Sequence, residues 1–462
     1  MNVKNCLILL VGLLAILLLS PTATAQEKMR LIIDTDAMAE VDDQNAIAYA
    51  LFSGNHFEVE GITVNRGSDY PERTAHRPYF GRVDIDDHFT EAVNVARMCA
   101  SPNIPVLKGP TGNYRKIRGN INNTTFDGSD AVNFIIERAH APSDRPLHIY
   151  ACGNLTNVAL ALLKDPTIAA KIEIWWLGTE WPLDYACNNH AGDLDAADAL
   201  LANPQNVPFN IIPWPHKGVT FAEIIENMTG KGPQVSPAVP GLRGDGPDFT
   251  CFGDYSVYLF DRFVGSRQKE HGRSLLDVIG FAAVKNNVGE YTSHEMGAPS
   301  FVYESAIGSG PHRHPGTWVE NADNPRRVTM WRHPNRDAVY NDFFNTMDNY
   351  VLAGSTSPAR EASQIHYREH NLLLDATLSG NMDSLNVGLR RFDGGECEPK
   401  LLVYDFKKQS FPDITRWISH YHKRMAIKAD VYEYGVAKGA DLGVVAENKT
   451  AYWMAKWGAP GE

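Results

Sequence analysis

The sequence predicts an α/β fold, a mostly parallel open sheet with helices on both faces, and three observations predict it. Met29–Asp34 (MRLIID) is a short run that is apolar almost throughout, as strands buried on both faces are. Residues 43–53 then place Ala46, Ile47, Ala50 and Leu51 at helical spacing, with Gly54 as the stop. The same strand–helix unit recurs down the chain, and repeated units of this kind build a parallel sheet covered on both faces.

In order, the second strand is Glu58–Asn65 (EVEGITVN), followed by a helix near 90–100 and a strand at Ile104–Leu107. A helix at 130–140, a strand at Leu147–Ala151 (LHIYA) and a helix at 155–164 come next. The pattern closes with a strand at Ile172–Leu177 (IEIWWL), a helix at 193–202 and a strand at Val207–Pro213. From 214 to 300 the chain is richer in Gly and Pro, with helical patterns around 254–264 and 275–285 and an amphipathic segment near 336–353. After Gly-Ser-Thr-Ser-Pro at 354–358 the character changes to short β-like runs (NLLLDATL, LLVYDF, ADVYEYGVA). The expected organisation is therefore an export signal at 1–25, an α/β unit at 26–355 and a small β-rich C-terminal domain at 371–462.

The signal rests on Lys4, the apolar run Cys6–Leu19 and the small-residue ending Ala23-Thr24-Ala25. These are the parts of a cleavable leader, and the run is shorter than the roughly 20 apolar residues that span a bilayer. The expected location is periplasmic or secreted. A chain of 462 residues can bury a large core unaided, and its net charge of −12 with no basic run argues against nucleic acid or an anionic membrane as partner. Beyond the leader, which holds Cys6, the five cysteines Cys99, Cys152, Cys187, Cys251 and Cys397 are odd in number and scattered, unlike a disulfide framework or a zinc cluster.

The stretch most loaded with chemistry is Asp34-Thr-Asp36-Ala-Met-Ala-Glu40-Val-Asp42-Asp43, between a buried strand and a helix start. Open α/β sheets bind ligands at the carboxyl ends of their strands. Asp42 and Asp43 could simply cap the helix. Four aspartates crowded at a strand end repel one another unless a cation neutralises them, and hard oxygen donors favour Ca²⁺ or Mg²⁺ over zinc. A metal site and a hydrogen-bonded structural cluster both remain open on these residues alone.

A strand ending in Asp-x-Asp, a loop, then Asp-Asp opening a helix resembles the signature of the inosine–uridine nucleoside hydrolases. The resemblance continues in chain order over about residues 30–350: Gly61–Asn65, Asp127-Gly-Ser-Asp130, Cys152-Gly-Asn-Leu-Thr-Asn157, Asn189-His-Ala-Gly-Asp193 and Ser274-Leu-Leu-Asp277. It implies a Ca²⁺ held by Asp36, Asp43, Asp277 and the backbone carbonyl of Cys152. It implies that Asp42 and Asn189, with Asn65 and Asp277 nearby, hold the hydroxyls of a riboside, and that Asp36 is the base for an attacking water. Family members are often dimers or tetramers, so a homo-oligomer is implied as well.

There are departures. The family has four positions from the second Asp to the Asp pair, whereas Asp36 and Asp42 are six apart, so the loop is longer and carries Glu40. Cys187 stands where the family has a glutamate, for which Glu180 is the candidate substitute. Leu276 and Phe126 stand where histidines are frequent. His312-x-His314 is only a weak metal spacing in a Gly/Pro-rich loop. Trp181 and Trp214 follow strand ends, where they could stack on a base or sugar or pack in the core. Three readings follow: a calcium-dependent N-glycosidase, a non-catalytic metal-dependent sugar-binding protein of the same fold, and a phosphoryl-transfer enzyme of the kind that also ends a strand in Asp-x-Asp. The last leaves the Asp42-Asp43 pair and the Cys152–Asn157 turn unexplained.

Overall fold

The computed structural model describes residues 27–67, 83–183, 185–303 and 314–354, together with the backbone of six short strands between residues 366 and 453. Its centre is one eight-stranded sheet. The strands are β1 (Met29–Thr35), β2 (Phe57–Val64), β3 (Val106–Lys108), β4 (Leu147–Ala151), β5 (Ile172–Thr179), β6 (Phe209–Pro213), β7 (Thr292–Gly297) and β8 (Arg327–Arg332). They lie in the order β7-β8-β6-β5-β4-β1-β2-β3, and every pairing is parallel except β7 with β8.

Both faces are covered, which explains why β1 is apolar at successive positions. Leu31 and Ile33 point into one core and Ile32 into the other. The first core receives α1 (Asp42–Leu51) and α2 (Ile85–Met98), the second α3 (Ser129–His140), α4 (Thr156–Lys164) and α5 (Leu194–Leu201). Further along come α6 (Phe221–Met228), α7 (Phe252–Phe263), α8 (Leu276–Val284) and α9 (Arg336–Asp348), all contributing to the first core. All nine residues of α8 are buried, as expected of a helix apolar on every side. Among the described residues no helix is long and apolar enough to cross a membrane.

The structure departs from the sequence expectation at instructive places. Helix α2 starts at Ile85, earlier than expected, because Asp84 and Asp87 form a reciprocal cap at its N-terminus. Helix α9 stops at Asp348. The chain beyond it pairs instead with the α1–β2 connection, Val351 N donating to Phe52 O and Ala353 N to Leu51 O at 2.9 and 2.8 Å. Strands β7 and β8 were not anticipated, since the exposed edge strand β7 (TSHEMG) carries too few apolar residues to signal itself. The segment 1–25 lies outside the described residues. Within 371–462, Leu372–Leu378, Ser384–Arg391 and Lys400–Asp405 join His366–Tyr367 in a four-stranded antiparallel sheet. Of the run ADVYEYGVA only Ala429 falls in a described strand. Cys99, Cys152, Cys187 and Cys251 are all free and buried, and Cys397 is outside the described residues.

Candidate functional site

The chain runs outward from β1 to β3 on one side of the sheet and from β4 to β8 on the other. The strand order therefore reverses between β1 and β4, the position at which open α/β sheets leave a crevice beyond their strand ends. Asp36 leaves β1 and Cys152 leaves β4 at this point. Asp42 and Asp43 open α1, and Asp277 opens α8. Asp36, Asp42, Asp43, Cys152, Asn189 and Asp277 all line one pocket.

Asp36 is clamped from two sides. A Cβ on Gly67 would lie 2.8 Å from Asp36 Oδ2, and one on Gly153 would lie 2.8 Å from Asp36 Oδ1 and 2.5 Å from Asn65 Nδ2. A side chain at either place would push Asp36 aside, and Gly67 also has a φ of +65°, which favours glycine. His88 stands behind the same loop, accepting from Met38 N at 3.0 Å, and burial lowers its pKa to about 4, so the ring stays a neutral acceptor.

Asp43 is held by Thr35 Oγ1 at 2.9 Å and Glu40 N at 3.3 Å. Helix α1 begins after Val41 without a side-chain cap, so the capping reading of the Asp42-Asp43 pair does not describe α1. Asp42 reaches across to α8 instead, where its Oδ2 accepts from Leu276 N at 2.9 Å and Asp277 N at 3.4 Å. Its Oδ1 is buried with no hydrogen-bond partner. Asn189, in the short helical turn Asn188–Ala191, donates through Nδ2 to Cys152 O at 2.7 Å and Leu177 O at 2.9 Å.

Two predicted residues sit off the pocket wall. Asn65 is fully buried beside Asp36. Glu180 faces His216 across 3.5 Å rather than the carboxylates. Three wall residues had no role in the sequence expectation or only an ambiguous one. Glu40, on the lengthened loop, is ion-paired with Arg273. Leu276 makes one side apolar, and Trp214 lines the pocket while packing against the first core. Nothing in the sequence couples Glu40 to Arg273, which lie far apart along it. Phe126 packs on the second core beneath the Lys164 ammonium, 4.8 Å from its ring centroid. Asp127 ties down the turn at Thr111–Gly112 with three bonds.

The wall is electrostatically costly as it stands. Burial pushes the carboxyls of Asp43 and Asp277 well above the usual carboxylate range, and repulsion from the neighbouring carboxylates adds to it. Burial raises Asp42 to about 6, opposed by the backbone N–H groups of α8. One carboxylate oxygen of Asp43, one of Asp277 and the Cys152 sulfur lie within 4.8 Å of one another. Burial also drives the Cys152 thiol well up, and sulfur is a soft donor that suits a hard cation poorly. The Cys152 carbonyl is a hard donor of the same kind as the carboxylates. A hard divalent cation fits this donor set better than a soft one, and it would relieve the repulsion the carboxylates share.

The family model described as inosine-uridine preferring nucleoside hydrolase matches residues 31–330. Among solved structures, an inosine-guanosine nucleoside hydrolase has a TM-score of 0.51 at 17% identity, with 71% of this chain and 100% of that one covered. A purine-preferring ribonucleoside hydrolase from Gardnerella vaginalis has a TM-score of 0.50 at 20% identity, with 69% and 98% covered. At such identities the likeness shows the fold. A comparison with curated protein sequences gives no match.

Proposed function

As the chain belongs to the inosine–uridine preferring nucleoside hydrolase family, we propose that it hydrolyses the N-glycosidic bond of ribonucleosides or related ribosides in a calcium-dependent reaction. The observation that carries this reading is the convergence of Asp36, Asp42, Asp43 and Asp277 on one pocket at the reversal of strand order. Asp36, Asp43, Asp277 and the Cys152 carbonyl would hold the ion. When bound, Ca²⁺ would supply a Lewis-acid charge that favours ionisation of water and offsets the carboxylates.

The chain's own groups do the rest. Asp42 Oδ1, buried and without a partner, accepts a ribose hydroxyl. Asn189, its amide nitrogen fixed by two carbonyls, presents its Oδ1 to a second. An Asp36 carboxylate oxygen takes the proton of the attacking water. The transition state is oxocarbenium-like, so the ring of carboxylates stabilises the positive charge that develops on the sugar. The same proposal includes export of the mature chain after Ala25, a catalytic unit at 26–355 and a separate 371–462 unit.

Calorimetry with Ca²⁺ and then ribose, followed by a reducing-sugar assay on inosine, guanosine and uridine, tests the reading. Asp36→Ala and Asp277→Ala are each expected to lose calcium binding and turnover together. Wild-type values for both in either variant would falsify the assignment. Calcium and ribose binding without sugar release would instead favour the sugar-binding protein.

A further inference from the structure

Breaking a C1′–N bond leaves the electron pair on the departing nitrogen, and the break is easier when that nitrogen takes a proton as the bond lengthens. Among the described residues the pocket wall carries carboxylates, two amides, Cys152, Trp214 and Leu276, but no His, Lys or Tyr. Its outlying acid, Glu40, is committed to Arg273 as an ion pair. Among the described residues the rim supplies the candidate donor.

Strands β5 and β6 end side by side there, joined by Trp214 N donating to Thr179 O at 2.8 Å. Residues 180 and 216 leave these ends together. His216 Nε2 stands 3.5 Å from Glu180 Oε1, and the two side chains differ sharply in exposure, 63% for the imidazole and 8% for the carboxylate. The imidazole meets the ring of Trp214, a pocket-wall residue, at 6.4 Å and nearly edge-on at 79°. A buried carboxylate that orients an exposed imidazole beside a ligand cavity is the arrangement that makes histidine a proton donor.

We propose that His216 is the proton donor to the leaving base and that Glu180 is its positioning residue. This rests on the hydrolase reading above. The C1′–N bond breaks, its electrons pass to the base nitrogen, and that nitrogen takes the proton from the His216 imidazolium. The water oxygen bonds C1′ and its proton goes to Asp36. Ribose and neutral base leave, and solvent carries the proton from Asp36 back to His216.

The test compares two leaving groups in the full mature chain with Ca²⁺. In His216→Gln, turnover of inosine should fall by at least about 10²-fold, the low end for general acid catalysis. Turnover of p-nitrophenyl riboside, whose phenolate leaves without a proton, should stay within about twofold on the same argument. Glu180→Gln should show the same selectivity with a smaller loss, and added imidazole should restore part of the inosine activity of a His216→Gly variant. Equal losses on both substrates, or none on either, overturn the inference and leave the hydrolase reading intact. A wild type that cleaves the nitrophenyl riboside and no nucleoside overturns the inference and replaces the N-glycosidase reading by an O-ribosidase. A wild type that cleaves neither overturns both.

Discussion

Replacing His190 by phenylalanine should make the folded protein less sensitive to acid. His190 is 0% exposed, and neither ring nitrogen has a hydrogen-bond partner. Its ring stacks on Trp318 at 5.2 Å and packs against Phe301 at 4.9 Å and edge-on against Trp176 at 5.6 Å. Burial in this aromatic cage lowers its pKa from 6.5 to about 3. Because the folded value lies below the unfolded one, the group weighs nothing against folding well above 6.5. As the pH falls through 6.5 the unfolded chain takes up a proton that the folded one refuses, and stability is lost until about 3. At about pH 4.5, two units below the unfolded value, the loss is about 2.7 kcal/mol at 1.36 kcal/mol per unit. The figure hardly depends on the folded value, provided that value lies below the pH of the measurement. Urea unfolding with EDTA, at about pH 7.5 and about pH 4.5, measures it as the difference between wild type and variant in their loss of stability. The same loss in both proteins refutes the reasoning.

Two further predictions concern the pocket. Gly153→Ala drives a methyl into Asn65 and Asp36, so turnover should drop by about 10²-fold from misplacement alone while the circular dichroism spectrum is unchanged. An unaltered kcat means that Asp36 tolerates displacement. Trp214→Ala should raise the KM for nucleosides about tenfold, within the roughly 1–3 kcal/mol of a base–aromatic stack, while ribose affinity holds. If affinity for ribose falls equally, Trp214 does not face the base.

The α/β architecture was legible because its signal is local. The strand MRLIID and the helical spacing of Ala46, Ile47, Ala50 and Leu51 each lie within one element, and each was found within a few residues of its place. The acidic cluster was legible for the same reason, as Asp34–Asp43 is one continuous stretch. What stayed hidden is what depends on which strand ends meet. Neither Glu180 with His216 nor Glu40 with Arg273 has a spacing that marks it as a pair. The capping alternative for Asp42 fails on the same point, because the N–H groups of Leu276 and Asp277 that its Oδ2 accepts from belong to α8 and not to its own helix. Strand β7 shows the converse, since an exposed edge strand needs no apolar pattern to pair with β8.

The bond from Asp42 to the first N–H of α8 spans 234 positions of sequence. During synthesis the aspartates therefore emerge long before the helix that completes their cavity, and nothing resembling a finished site can exist until residue 277 and the apolar helix behind it have docked. Contacts this remote in sequence close late and make folding slow. A nascent chain stalled before α8 would thus expose both the carboxylates and the apolar face of α1 that α8 covers. The same closure that completes the cavity also ends the interval in which the chain is most prone to aggregate.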